Sequence, residues 1–189
     1  MFYPKEIKGL TVRLRSIIPD DADITYKMRA DKEKVKYMHQ ITGTVDDQKR
    51  YIEQQQKKKG DYLFVVLDYS DNIIGMRGIY NVKENSAESG RTIGYGDAFQ
   101  NMEALLLGFD FAFNILNVEQ IYMDAAVNNH SVRGIQIQIG AKEYRRGYHD
   151  GIEHEYVFSV LSRKDYIIHR EKIYSLIEKH VNRVGRKSR

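Results

Sequence analysis

Several side chains in this sequence have types and spacings suited to chemistry. Glu88 precedes a strand-like run that ends at Gly96, so its carboxylate could accept a proton, directly or through a water. The plainer reading is a solvated turn glutamate. Tyr144 and Tyr122 carry phenols that could protonate a leaving group, although strand tyrosines more often pack with a satisfied hydroxyl. Asn129 stands at the head of a helix-like run, where an asparagine can cap the helix, contact a ligand, or do both. His149, Asp150, His154 and Glu155 are metal-binding types. They straddle an Asp-Gly turn, and the two histidines need not face the same side, so no metal is assigned.

The elements that would position these groups centre on Gly90 to Ala141. A strand (Arg91 to Gly96), a short turn (Asp97 to Gln100) and an apolar helix (Asn101 to Leu116) are followed by a strand (Gln120 to Val127) and a helix (His130 to Ile139). The first helix carries Leu105, Leu106, Leu107, Phe109, Phe111 and Phe113 on nearly every side, so it must be buried almost all round. This is a βαβ unit with the two strands parallel or nearly so. Ligands in such units sit where the strand gives way to the helix, because unpaired amides and the helix dipole favour an anion there.

Around this unit, Leu10 to Ile18 alternates as a strand with one wet face, and Asp20 is placed to cap a helix reaching about Ala30. A second short helix is expected over Lys32 to His39. Thr44 to Asp47 has capping-box spacing, with Asp in place of Glu, and opens a mostly polar helix to about Lys59. Tyr62 to Tyr69 and Ile73 to Val82 form a hairpin, in which Gly75 and Gly78 signal a bulge or a close backbone approach. Asn85 to Ser89 is expected to turn. Lys142 to Tyr148 and Ile152 to Leu161 form another hairpin across Asp150-Gly151. Ser162 or Asp165 caps a last helix to about Val184, with Tyr166, Ile173, Ile177, Val181 and Val184 on one stripe. That stripe covers either the chain's own sheet or a second copy in a homodimer.

Composition narrows the function classes. The chain has 189 residues, 42% hydrophobic and 30% charged, enough for one domain with a real core. Its net charge of +4 is concentrated in a basic tail (Arg183, Arg186, Lys187, Arg189), and no basic stripe interleaves with stacking aromatics, so no nucleic-acid partner is expected. The absence of cysteine removes disulfides, thiolate metal sites and a cysteine nucleophile. Met1 to Leu10 is mixed and charged, and no apolar run reaches spanning length, so a cytoplasmic protein with no membrane partner is expected.

The element order resembles the GNAT superfamily of N-acetyltransferases, and local sequence is similar in several places. Thr11-Val12-Arg13-Leu14-Arg15 followed by Asp20-Asp21-Ala22 resembles the opening of its ribosomal-protein and amino-sugar branches. Ile93-Gly94-Tyr95-Gly96 resembles the strand beside the acetyl-pantetheine arm, and Glu103-Ala104-Leu105 with Phe111-Ala112-Phe113 the helix after the phosphate loop. Asn129, eleven residues before Gly140, matches the asparagine and glycine of the second motif. The resemblance implies an α/β, single-domain GNAT-like fold over residues 1–163. Its mixed, mostly antiparallel sheet would have about six to seven strands flanked by helices, with residues 164–189 as an added C-terminal helix and basic tail.

It also implies acetyl-coenzyme A as cosubstrate, held by Ile93, Gly94, Tyr95, Phe99, Gln100, Asn101, Met102 and Asn129, with no metal. The acceptor would be a primary amine of an amino sugar, a protein N-terminus or a small molecule, attacking directly, with Glu88 and Tyr144 as proton-transfer residues. The phosphate loop departs from the family pattern: Gln100 is followed by Asn101, Met102, Glu103, Ala104 and Leu105, without glycines and about four residues short. Asp97 and Glu103 also place carboxylates near the expected pyrophosphate. Thr92 replaces an acid, and Gln136 stands where many members have a tyrosine. The alternative is therefore a GNAT-fold binding or regulatory protein without catalysis.

Overall fold

Runs of aromatic and β-branched residues with period two, separated by turn formers, put most of this chain into one sheet. The computed structural model describes residues 1–187; the end of the basic tail, Ser188 and Arg189, lies outside them. Among these residues the strands are β1 (Ile7–Lys8), β2 (Val12–Ser16), β3 (Tyr62–Asp68), β4 (Ile73–Tyr80), β5 (Ser86–Gly94), β6 (Gln120–Ala126), β7 (Lys142–Tyr148) and β8 (Glu155–Ser162). They lie in the order β1-β2-β3-β4-β5-β6-β8-β7, and only the β5–β6 pair is parallel. Helices α1 (Ala22–Ala30), α2 (Val45–Lys57), α3 (Ala98–Asp110), α4 (His130–Gln138) and α5 (Arg163–Lys187) flank it. The α/β class with a mixed, mostly antiparallel sheet and an added last helix is what the chain forms; the eighth strand is the two-residue β1.

Two cores separate the faces of the sheet. Val12, Leu14, Phe64, Ile79, Ala87 and Ile121 pack against α3 and α5 on one face. Ile17, Leu63, Val65, Leu67, Met76 and Ile93 pack against α1 and α2 on the other. The apolar rod is buried nearly all round, as its composition requires, and widens into a π-helical turn over Phe111–Ile115. The α5 stripe turns inward: Tyr166, Ile173 and Ile177 join the first core, while Val184 is exposed. Ser162 and Asp165 cap α5 together, the Ser162 Oγ accepting from the Asp165 amide at 3.1 Å and donating to its carboxylate at 2.7 Å.

Several boundaries differ from expectation; the last strand, for one, begins at Glu155 rather than Ile152. Lys32 to His39 forms turns rather than a helix, because the Asp31 side chain takes the Glu33 and Lys34 amides, and Val35 is the segment's one fully buried side chain. Asp21, not Asp20, closes the start of α1, accepting from the Ile18 amide and from Arg15. The stretch Asn85 to Ser89 is mostly the beginning of β5, since Ser86–Glu88 find partners on β6. The turn at Asp97 to Gln100 is instead the cap and first turn of α3, which begins at Ala98.

Candidate active site

The site begins where β5 and β6 part. Ser86, Ala87 and Glu88 pair with Gln120, Ile121 and Tyr122; beyond that point β5 stays with β4 and β6 with β8, so a gap opens between them. A bulge bends β5 at the same place. Arg91 and Thr92 together face Arg77, with Arg91 in the left-handed region at φ 52°. Gly75 and Gly78 allow it, as their positions foretold. A Cβ at Gly75 would lie 2.6 Å from the Ile93 carbonyl, and one at Gly78 3.0 Å from that of Gly90. Arg77 holds the bulge from beneath, donating to Thr92 Oγ1 at 3.0 Å and to the Asn101 carbonyl in α3 at 2.9 Å. Its complete burial without a carboxylate lowers its pKa to about 10.

At the head of α3 the chain satisfies itself. The Asp97 carboxylate accepts from the amides of Phe99 (2.8 Å) and Gln100 (2.9 Å), and Gln100 Oε1 accepts from the Asp97 amide at 3.0 Å. Two donors that an anion would use are thus occupied, and by a negative group. Asn101 donates to the Gly96 carbonyl at 2.6 Å and packs so closely on Gly94 that a Cβ there would lie 2.1 Å from it. Phe99 stacks on His180 of α5 with ring centres 3.8 Å apart, and Met102 packs on the core. Ile93 is buried toward α1 and α2, and the exposed Tyr95 donates to Asp31 at 2.6 Å. Asn129 caps α4 through the Val132 amide at 3.3 Å. Glu103 does not face a pyrophosphate. It is fully buried the other way, accepting from the amides of Leu10, Thr11 and Val12 and from the Thr11 hydroxyl.

On the α1–α2 face, Glu88 lies opposite Tyr80 on β4 and Tyr122 on β6, and accepts from Asn81 at 3.0 Å. Tyr144, half-exposed, reaches this group through its ring, 5.8 Å edge-on from that of Tyr122. Beyond the parting, Asp124 faces His149, whose Nε2 is 3.1 Å from its Oδ2. The His149 ring rests edge-on against Tyr156, 4.5 Å away, and Tyr156 donates to the Tyr37 carbonyl. Burial raises the Asp124 carboxyl above the usual range; His149 offsets part of this and Glu88 adds to it. Burial, with Glu88 and Asp124 adding, pushes the Tyr80 hydroxyl up to about 12.

His154 packs instead on the Tyr37 ring, so the two histidines of the hairpin do different things. Asp124 and Tyr80 were missed in the sequence. The one available signal for Asp124 is an acid inside the otherwise apolar run Ile121 to Val127. Gln136 is buried and fastens α4 to β6 through the Asp124 carbonyl at 3.1 Å.

A parallel strand pair that splits beside a bulge, with a helix rising from its end, defines an acyltransferase-type α/β fold. Residues 11–142 match the family model described as an acetyltransferase (GNAT) domain, and the chain belongs to that family. Solved structures agree in fold. FdhC, described as a nucleotide-linked sugar GNAT, superposes with a TM-score of 0.75 at 21% identity, over 89% of this chain and 96% of its own. A GCN5-related N-acetyltransferase from Brucella melitensis gives 0.77 at 13%, over 93% and 86%. The spermidine N-acetyltransferase of Vibrio cholerae, in complex with CoA and spermine, gives 0.73 at 18%, over 82% and 98%. No curated protein matches the sequence significantly.

Proposed function

We propose that this chain is a cytoplasmic N-acetyltransferase that moves the acetyl group of acetyl-coenzyme A to a primary amine by direct attack. The observation that carries this reading is the parting of β5 from β6 beside the Arg91–Thr92 bulge, with Glu88 and Asp124 on one face of the gap. The pantetheine amides can add to the unpaired edge of β5 as another strand would. Ile93, Gly94 and Tyr95 would flank that arm, and Asn129 would meet it from the head of α4. Phe99, Gln100, Asn101 and Met102 would lie under the diphosphate, with the thioester carbonyl near backbone donors of the bulge.

The amine nitrogen attacks the thioester carbon, the carbon–sulfur bond breaks, and the nitrogen loses a proton to Glu88 or to a water it holds. Asp124, which faces His149, lines the same approach, and its carboxylate would draw a cationic amine toward the gap. Tyr144 and Tyr80 are the two candidate proton donors to the departing thiolate. Tyr80 stands closer to the bulge, with its hydroxyl 2.6 Å from where a Cβ on Gly90 would be. The relatives described as acting on spermidine or on nucleotide-linked sugars are consistent with an amine acceptor. Coenzyme A should raise the unfolding free energy by about 2.7 kcal/mol at a hundred times its dissociation constant. Thiol should be released from acetyl-coenzyme A in the presence of a suitable amine. No shift at millimolar coenzyme A would refute the reading.

One observation favours the second reading, a binding or regulatory protein: the Asp97 carboxylate already occupies the first-turn amides of α3. Turnover with any amine of a panel would dismiss it.

A further inference from the structure

An acetyl transfer to an amine that arrives charged must remove two protons, and Glu88 accounts for one of them. The ammonium loses a proton before its nitrogen can attack, and the nitrogen loses a second as the amide forms. The departing thiolate takes up one, so one proton per turnover has to leave for solvent. That exit calls for a group that reaches both the gap and water.

Asp124 and His149 have this placement. Asp124 lies two residues past Tyr122, where the pairing of β6 with β5 ends, and on the same side of the strand. The His149 Nε2 stands 3.1 Å from Asp124 Oδ2, while 35% of the His149 side chain remains open to solvent. Packing fixes the ring, with Tyr156 edge-on at 4.5 Å and Phe158 at 5.3 Å. A carboxylate facing Nε2 keeps the ring hydrogen on that nitrogen, so Nδ1 retains its lone pair and is the basic atom.

The charges around the pair are mixed. Burial, joined by Glu88 on β5, raises the Asp124 carboxyl, although His149 and Arg145 act the other way. Arg145 of β7 holds its guanidinium 3.8 Å over the Phe158 ring. The hydroxyls of Tyr80 on β4 and Tyr156 on β8 also feel the Asp124 charge. Charging Asp124 here is unfavourable for the fold, and two neutral partners would clasp the hairpin without that cost.

We infer that His149, held by Asp124, takes the first proton of the acceptor's ammonium and passes it to water, the acceptor being a strongly basic amine that binds protonated. This rests on the acetyl-transfer reading. The ammonium gives a proton to His149 Nδ1 and becomes the free amine, and Asp124 stabilises the imidazolium until water takes the proton. The amine then attacks the thioester carbon; the carbon–nitrogen bond forms and the carbon–sulfur bond breaks. The second proton goes to Glu88 or its water and is matched by the one the thiolate acquires. His149 is thus a catalytic residue and Asp124 a positioning residue.

The test is how the effect of His149 depends on amine basicity. Thiol release is followed for the parent, His149→Gln and Asp124→Asn with an alkylamine drawn from a panel and with its fluorinated, weakly basic analogues. His149→Gln should lower kcat/KM by about 10²-fold for the basic amine and leave the weakly basic ones nearly unaffected, with coenzyme A binding unchanged. Asp124→Asn should follow the same trend with a smaller loss. Imidazole added to His149→Ala should restore part of the rate, since the ring's place opens to solvent. An equal loss on basic and weakly basic amines, without rescue, would make the pair a structural clasp and overturn the relay while acetyl transfer stands. A parent chain that acetylates no amine of the panel would refute the acetyl-transfer reading and the relay together. Independently of turnover, nitrogen-15 spectra of the histidine-labelled chain should place the His149 hydrogen on Nε2, a preference that Asp124→Asn removes. A hydrogen on Nδ1 instead would overturn the inference.

Discussion

Charge at single residues decides what the cleft can do. If Glu88 takes the proton, Glu88→Gln should lower kcat/KM by about 10²- to 10⁴-fold and flatten the acidic limb of the pH profile, with coenzyme A binding unchanged. An unaltered profile would pass the role to Asp124 and His149. The Asp124 carboxyl, raised by burial, holds its proton more tightly in the folded chain than in the unfolded one. Stability is therefore lost as pH rises from the ordinary aspartate value through the folded one, and the penalty is complete above it. Asp124→Asn should then melt higher than the parent at pH 7 and show no such gain at pH 3. An equal difference at both values would contradict the assignment.

Asp61 behaves in the opposite sense. Burial alone would raise it, but the hydrogen bonds and charges of Arg91, with Gln55 and Lys58 helping, hold it below the usual range. Its contribution is present above the ordinary aspartate value and disappears as pH falls through the lower, folded one. Removing it leaves Arg91 unpaired in a mostly buried place. Asp61→Asn should destabilise by about 3 kcal/mol at pH 7, with the deficit closing in denaturant titrations below about pH 4.

At the level of elements, the head of α3 serves two ends at once. Its outward side is capped by Asp97, and its inward side is tied through Glu103 to the loop before β2. A Cβ on Gly9 would lie 2.5 Å from that carboxyl group, so only glycine fits there. Asp97→Asn keeps a side-chain oxygen for the cap and removes the charge facing a diphosphate. Calorimetry should find coenzyme A bound about two- to five-fold more tightly, with the melting temperature nearly unchanged. Weaker binding would show that Asp97 assists the ligand. Glu103→Gln would turn an amide toward backbone donors in a sealed site, and chemical denaturation should report a loss of about 3 kcal/mol. The short link between β5 and α3 is thus a compact structural joint, built where a longer chain would leave its amides open.

For the whole molecule, α5 closes the face of the sheet that α3 occupies. The Tyr166 hydroxyl donates to the Leu106 carbonyl at 3.0 Å and to Asp110 at 2.9 Å, and Arg170 pairs with the same Asp110. Tyr166, Ile173 and Ile177 would each contribute about 1.5–3 kcal/mol by burial. We propose that the last helix, as described from residue 164 to residue 187, is an integral closure of the domain. A chain ending at Ser162 should show far weaker near-ultraviolet circular dichroism and bind a hydrophobic dye. A truncated chain that melts cooperatively like the parent would refute this. Because the stripe faces its own core, a homodimer would need another surface, and the mass in sedimentation would show whether one forms.

Element types and their order were legible in the chain because they follow from local periodicity and capping. The alternation in Tyr62 to Tyr69, the Thr44–Asp47 box, the all-round apolar rod and the Asp-Gly hairpin each follow from residues a few positions apart. Gly75 and Gly78 even marked the bulge, since a missing side chain signals a close backbone. What the sequence left open concerns groups far apart along the chain. Asp124 meets His149 across a hairpin, Arg29 meets Arg91 across two layers, and Glu103 turns toward Leu10 rather than toward a ligand. Periodicity says which face a residue takes but not what stands opposite it. Charge, burial and partner are properties of that opposite neighbour, and only the folded sheet brought them together.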